Sequence, residues 1–131
     1  YKEVFRAKLV YGYGLLDNER VFVASEKEDA AEAISELRVI NIRTNQIQII
    51  SSLGCAGESN YEVNRFTHKV IFHDCQGIKL LSIEKDNTFK IKLINEEAGN
   101  IWAIFWLGRK KVGYVRFTGN EREFIIEDVE L

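Results

Sequence analysis

Apolar and polar residues alternate along much of this chain, which is the pattern of β-strands. Residues 3–11 alternate apolar and charged side chains from Phe5 to Tyr11. This period of two predicts a half-buried strand. A second short strand is predicted over residues 21–24, after a turn region rich in Gly, Asp and Asn.

A helical pattern follows the second strand. Ser25 and Glu28 fit a capping box, in which the hydroxyl accepts from an early helical N–H and the carboxylate reaches back. The apolar residues that recur at helical spacing behind them are Ala30, Ala33, Ile34 and Leu37. The pattern predicts one α-helix over about 26–38, with a narrow apolar stripe that packs on a sheet.

Beyond residue 38 the pattern predicts a hairpin and then a regular series of strands. The hairpin joins 39–43 to 46–50 through Thr44-Asn45, and 51–60 is an irregular stretch. Six strand-like runs then begin at intervals of 11 or 12 residues, at Phe66, Ile78, Phe89, Ile101, Val112 and Phe124. Even spacing with short turns favours an antiparallel meander of six strands.

The spacing of the strands leaves two architectures to compare. Propeller blades repeat every ~40–45 residues, but 131 residues hold only two or three blades, and neither a Gly-His nor a Trp-Asp pair recurs. A sheet curled into a barrel or half-barrel fits the length better. We therefore predict a single mainly β (α+β) domain over 1–131, with an antiparallel, barrel-like meander of about 8–10 strands and one helix.

Composition and charge exclude few functions. The chain has 18 basic and 20 acidic residues and a formal net charge of −2, which implies no general attraction to nucleic acid or to an anionic membrane. No apolar run approaches the ~20 residues of a membrane span, and no signal-peptide pattern opens the chain. Two cysteines are too few for a disulfide scaffold, so a cytoplasmic location is expected.

All histidines and cysteines lie within one window of 21 residues, at Cys55, His68, His73 and Cys75. On a strand over 66–73 the two histidines point to opposite faces, because they are five residues apart. Cys55, His73 and Cys75 remain weak candidates for a three-ligand metal site. His73 and Cys75 also resemble a thiol–imidazole pair, although a buried thiol and a core histidine explain them more simply.

The sequence predicts no catalytic residue and no cofactor. It contains no phosphate-binding Gly-x-x-x-x-Gly-Lys loop, no Gly-x-Ser-x-Gly elbow and no His-Glu-x-x-His helix. No pair among the acidic residues is singled out by its spacing. An enzyme is therefore disfavoured.

Residues 101–107 form a run that is apolar on both faces of a strand. Regular alternation places Trp102, Ile104 and Trp106 on one face and the residues between them on the other. Such a strand is either covered twice or meets a partner with one face. The basic turn 108–111 and the nearby Tyr114 could also stack bases and hold phosphate.

Tyr114 and Arg116 share one face of the next predicted strand. If that face lined the inside of a barrel, a phenol and a guanidinium would meet the carboxylate of an amphiphilic ligand. Apart from that case, the same residues would lie on a solvent face.

The predicted function is a small non-catalytic module that binds another protein. An inhibitor-like or immunity-like role is suggested only by size and mild acidity. The predicted binding residues are Trp102, Trp106, Tyr114, Arg116, Arg109 and Lys110. The alternatives are a small-molecule-binding or lipid-binding β-barrel and, less favoured, nucleic-acid binding through the 108–111 tip.

Overall fold

Three antiparallel β-sheets stack face to face in this protein, as a computed structural model shows. The structure describes residues 2–27, 34–53, 60–96 and 101–131. Within these ranges it contains eleven strands and no helix. The mainly β prediction is therefore confirmed.

Each sheet is a meander of consecutive strands. The first sheet consists of β1 (Val10–Leu15), β2 (Arg20–Glu26), β3 (Ser35–Asn41) and β4 (Ile47–Leu53). The second consists of β5 (Glu62–Val63), β6 (Val70–Asp74), β7 (Gly77–Ile83) and β8 (Phe89–Asn95). The third consists of β9 (Ile101–Leu107), β10 (Lys111–Thr118) and β11 (Glu121–Asp128).

The helix predicted over 26–38 is wrong at both of its ends, while residues 28–33 lie outside the described residues. Glu26 ends β2, and residues 35–38 belong to β3, where Ala24 pairs with Leu37. Both of these apolar side chains are fully buried against the second sheet. Strand pairing and burial together outweigh a local helical pattern, because intrinsic propensity is weak compared with tertiary packing.

The strand predicted over residues 3–11 is also wrong, since β1 begins only at Val10. The preceding segment instead runs along the side of the first sheet that faces away from the second. There the Lys2 ammonium donates to the Ile42 carbonyl at 3.3 Å, and the Arg38 guanidinium lies 4.7 Å from the Phe5 ring centroid.

The hairpin predicted around Thr44-Asn45 is confirmed. Strands β3 and β4 pair on either side of this turn, and Asn45 adopts a left-handed backbone conformation with φ 64°. Asparagine tolerates this conformation because its short side chain can hydrogen-bond locally. Strand β4 then continues to Leu53, within the stretch predicted to be irregular, of which residues 54–59 lie outside the described residues.

The second sheet lies in the middle of the stack and is covered on both faces. Consecutive residues of β6 show this, because Val70, Ile71 and Phe72 are all 0% exposed. Val70 and Phe72 enter the core shared with the first sheet, whereas Ile71 enters the core shared with the third. A strand buried on both faces reads as a continuous apolar run rather than an alternating one.

Each of the six strands predicted beyond residue 60 corresponds to an observed strand, but β6 begins at Val70 rather than at Phe66, and β11 begins at Glu121 rather than at Phe124. The six strands do not form one meander. Strands β8 and β9 are not paired and belong to different sheets. The described strands therefore form three stacked sheets rather than one barrel-like sheet. The prediction of a six-stranded meander is corrected to one four-stranded and one three-stranded sheet.

The first strands of the three sheets lie next to one another: β1 contacts β5, and β5 contacts β9. The approach of β1 is so close that its glycines are required. A Cβ at Gly12 would lie 2.0 Å from the Tyr61 carbonyl oxygen, and one at Gly14 would lie 2.5 Å from Val63 Cβ. Stacked meanders whose first strands converge are arranged like neighbouring blades of a β-propeller.

Candidate functional site

A β-bulge divides β9 into two halves of opposite alternation. Ala103 has φ 53°, and Ala103 and Ile104 together lie opposite the single residue Tyr114 of β10. Such an extra residue shifts the alternation of all side chains beyond it. Trp106 therefore faces the second sheet with Ile104, whereas Trp102 faces away from it. The prediction that the two tryptophans share a face is wrong.

The face of the third sheet that points away from the second sheet is here called the outer face. Its apolar residues, assigned from the strand register, are Trp102, Phe105, Leu107, Val115, Phe117, Phe124 and Ile126. Trp102 is 60% exposed, Phe124 59% and Ile126 57%. Among the described residues nothing covers these three side chains.

Four aromatic rings of the outer face pack against each other in two pairs. The Trp102 and Phe117 ring centroids are 5.9 Å apart, as are those of Phe105 and Phe124. Gly113 lies beneath the second pair, since a Cβ there would lie 3.0 Å from the Phe105 ring. This packing restrains the rings relative to one another.

Three of the predicted binding residues make contacts within the fold. The Trp106 indole N–H donates to the Glu62 carbonyl at 3.0 Å, which connects the third sheet to the second. The Tyr114 side chain is buried, and its hydroxyl donates a hydrogen bond of 2.9 Å to Glu127 Oε2. Arg116 donates to Glu123 Oε2 at 2.7 Å. Tyr114 packs between two sheets and Arg116 is ion-paired. The described strands do not close into the barrel on which the predicted cavity-lining role of these two residues depended.

The predicted basic turn lies beside an open groove of about 310 Å3. The lining side chains come from the first strands of the three sheets and the loop after β5, and include Tyr13, Glu62, Asn64, Arg65, Phe66 and Trp106. The guanidinium carbons of Arg65 and Arg109 lie 4.6 and 5.5 Å from the centroid of the Phe66 ring. Sequence reasoning missed Arg65, because an exposed loop carries no periodic pattern, and it placed Phe66 at the start of a strand rather than in this loop. Lys110 is exposed at the tip of the same turn.

The histidine and cysteine window does not form a metal centre within the described residues. Cys75 is disulfide-bonded, so it offers no thiolate to a metal or a substrate. The only other cysteine of the sequence, Cys55, lies outside the described residues. No three His, Cys, Asp or Glu side chains in the described ranges come together as a potential metal site.

The two histidines differ in their surroundings. His73 is half-buried, and burial lowers the pKa of its imidazole below the usual 6.5, although the nearby Asp74 opposes this shift. His68 lies in the loop before β6 with φ 62°, and its Nδ1 is 3.2 Å from the Leu15 carbonyl oxygen. The strand predicted from Phe66 therefore begins only at Val70, and His68 is exposed rather than core-facing.

The chain matches no protein-family model, no curated protein sequence and no solved structure. Across the described ranges, no helix is both long and apolar enough to cross a membrane.

Proposed function

We propose that this domain is a non-catalytic binding module that engages another protein through the outer face of the third sheet. The observation that carries the proposal is Trp102, which is 60% exposed within a continuous apolar surface. Exposed apolar patches larger than a few hundred Å2 are rare on soluble monomers and mark interaction sites. Tryptophan is also enriched among the residues that dominate binding energy.

Two further features of the outer face support a protein partner. Its aromatic rings are large and already ordered, and each buries ~150–250 Å2 when covered. Charged residues lie toward its rim, where the Lys111 ammonium is 2.7 Å from an Asp128 carboxylate oxygen and the Arg122 guanidinium is 5.2 Å from the Phe117 ring centroid. An apolar centre with a polar rim is the usual anatomy of a protein interface.

The proposal is tested by affinity capture with a matched pair of variants. Phe124→Glu places a charge on the outer face, whereas Phe89→Glu places one on an exposed phenylalanine of β8 in the second sheet. We expect a specific partner to be retained by the wild-type chain and by Phe89→Glu, and lost with Phe124→Glu. A partner that binds all three proteins equally would refute the outer face as the site. If the captured partner is an enzyme, its activity assay tests the inhibitor-like or immunity-like role.

A second candidate function is binding of nucleic acid or another polyanion in the groove beside the 108–111 turn. It is favoured by the two guanidiniums of Arg65 and Arg109 around Phe66, next to the exposed ring of Tyr13. Arginine and aromatic side chains together grip phosphate and stack bases. Binding to a single-stranded oligonucleotide would fall steeply with salt and would be lost with Arg109→Glu but not with Arg43→Glu. The absence of binding at low salt would exclude this function.

We also propose that the protein works in an oxidising compartment rather than in the cytoplasm that its composition suggests. The disulfide at Cys75 supports this location, because such bonds persist outside the reducing cytosol. Thiol labelling of the denatured protein from its native cells tests the proposal. Labelling only after reduction would support it, and labelling without reduction would contradict it.

A further inference from the structure

Asn64 lies between the two segments that carry the arginines of the groove beside the 108–111 turn. We infer that Asn64 is the positioning residue of this groove. Its side chain holds Arg109 beside Phe66, and the two groove arginines then contact one phosphate group of a single-stranded nucleic acid. This role rests on the second candidate function proposed above.

The buried Asn64 side chain uses all of its hydrogen-bonding capacity, and the residue is 1% exposed. Its Nδ2 donates to the carbonyl oxygens of Gly108 and Arg109, at 2.9 and 3.3 Å. Its Oδ1 accepts from the backbone N–H groups of Phe66 and Thr67, at 2.8 and 3.2 Å. An amide side chain has two donor hydrogens and one oxygen with two lone pairs, so each of these is occupied.

These bonds join the loop after β5, which carries Phe66, to the turn after β9, which carries Arg109. The loop is also closed on itself by its main chain. The Asn64 N–H donates to the Lys69 carbonyl at 2.7 Å, and the His68 N–H donates to the Asn64 carbonyl at 2.8 Å. Because one side chain connects both segments, it sets where the Arg109 guanidinium lies relative to the Phe66 ring.

The two guanidiniums of the groove lack a carboxylate partner. Their carbons lie 4.6 and 5.5 Å from the centroid of the same Phe66 ring, yet within the described ranges neither Arg65 nor Arg109 forms an ion pair. Other arginines of the chain are ion-paired, among them Arg20, Arg38 and Arg116. Guanidinium groups match the oxygens of phosphate, so a bound phosphate would supply the missing anion.

The rest of the groove suits the base of a nucleotide. Tyr13 lines it and is 75% exposed, and exposed aromatic rings stack bases. Glu62 is the acidic residue among the described lining residues, and its Oε2 accepts from the Trp106 backbone N–H at 3.2 Å. A carboxylate repels a phosphate close to it, so Glu62→Gln should tighten binding.

The test measures how salt weakens binding of a labelled oligothymidylate, followed by fluorescence anisotropy. Asn64→Ser keeps an oxygen for the N–H groups of the loop, but it has no amide donor for the turn. Leu81→Ala is the control, because it removes a buried side chain from the core between the first and second sheets. The control lowers stability without changing the groove. Circular dichroism confirms that each variant is folded.

The expected signature of a positioning role is a lost phosphate contact without a lost charge. For single strands the logarithm of the binding constant falls against that of salt with a slope of ~0.7 per contact. Arg109→Ala should weaken binding about tenfold or more and reduce this slope by ~0.7. Asn64→Ser should do the same, although it removes no charge, whereas Leu81→Ala should retain the wild-type slope.

Combining the variants separates positioning from a purely structural role. In the Asn64→Ser background, Arg109→Ala should have little further effect, because its contact is already lost. Fully additive losses would overturn the role of Asn64, and so would a wild-type slope for Asn64→Ser. If Asn64→Ser does not fold, Arg65→Ala and Arg109→Ala decide, since two guanidiniums on one phosphate are coupled. Their double variant should then lose less affinity than the two single losses multiplied together, and additive losses would overturn the shared phosphate.

The remaining outcomes distinguish this inference from the candidate function. Binding that depends on Arg109 but not on Asn64 would retain nucleic-acid binding and overturn only the positioning role. Inorganic polyphosphate that binds as tightly as the oligothymidylate would overturn the nucleotide as the ligand. A wild-type chain that binds no oligothymidylate at low salt would overturn both the candidate function and the inference.

Discussion

The Arg20 guanidinium donates a hydrogen bond of 2.7 Å to the backbone carbonyl of Glu84, which lies 64 residues further along the chain. The same guanidinium donates to Asn87 Oδ1 at 2.7 Å and to Asp17 Oδ2 at 2.6 Å. Arg20 thus joins the β1–β2 turn of the first sheet to the β7–β8 turn of the second. Its side chain is only 11% exposed.

We expect Arg20→Ala to lower the free energy of unfolding by about 2–3 kcal/mol, because it removes three charge-assisted hydrogen bonds made by a largely buried guanidinium. Urea denaturation monitored by fluorescence measures the change. Arg43→Ala is the control, since that side chain is 72% exposed and its ion pair with Glu19 spans 3.4 Å. The control should cost less than about 1 kcal/mol. Equal losses in the two variants would contradict the role given to Arg20.

Substitution of Gly12 tests the close approach of the first strands. We expect Gly12→Ala to destabilise the fold by about 3 kcal/mol, the upper end of the usual cost of overpacking, because its methyl group would overlap the Tyr61 carbonyl and force the strands apart. Gly108→Ala is the comparison: Gly108 has φ 77° and nothing within 4 Å of an added Cβ. It should cost only about 1–2 kcal/mol of backbone strain. If the two variants had the same stability, the convergence of β1 on β5 would be wrong.

Substitutions of Tyr61 measure how much its ring and its hydroxyl each stabilise the core between the first and second sheets. Its ring stacks on Phe72 at a centroid distance of 4.8 Å, and burial raises the pKa of its hydroxyl to about 12. The hydroxyl lies near that of Ser35 but outside hydrogen-bonding geometry among the described residues. Tyr61→Phe should therefore change stability by less than about 1 kcal/mol, whereas Tyr61→Ala should cost about 3–5 kcal/mol. A large loss with Tyr61→Phe would reveal a hydrogen bond at this hydroxyl.

His73 is expected to make the fold sensitive to mild acid. Burial lowers its pKa in the folded state below the usual 6.5, so the unfolded chain takes up a proton that the folded chain resists. The free energy of unfolding should therefore fall as the pH drops below about 6.5. Thermal melts between pH 5 and 8 should show a shallower slope for His73→Gln than for the wild type. His68→Gln is the control, because it changes the exposed histidine and keeps His73. Its melting temperature should depend on pH as that of the wild type does.

Local pattern alone predicts much of the strand content of this fold. The turn at Asn45 and the strand starts beyond residue 60 follow from turn residues and alternation, which are properties of neighbouring residues. The helix prediction fails for the same reason. Spacing at Ala30, Ala33 and Leu37 describes only the local chain, whereas Leu37 is placed by its pairing with Ala24 and by the second sheet.

The outer face of the third sheet was only partly predictable. The aromatic content of 101–107 marks a strand that is apolar on both sides, but no polar residue in it reveals which way each side chain points. The bulge at Ala103 depends on the register with β10. The division into three sheets depends on long-range contacts such as that of Gly12 with Tyr61. Neither the bulge nor the division into three sheets can be predicted from residues that are adjacent in sequence.

The extra residue at Ala103 has a consequence for how this surface could arise and be lost. Removing one residue there would reverse the direction of every side chain in the preceding part of β9. The Trp102 side chain would then point toward the core, although the residue itself would still be a tryptophan. A deletion or insertion of one codon is a single genetic event. An exposed apolar surface on this architecture can therefore be gained or lost in one step through a change in strand length, rather than by accumulating substitutions.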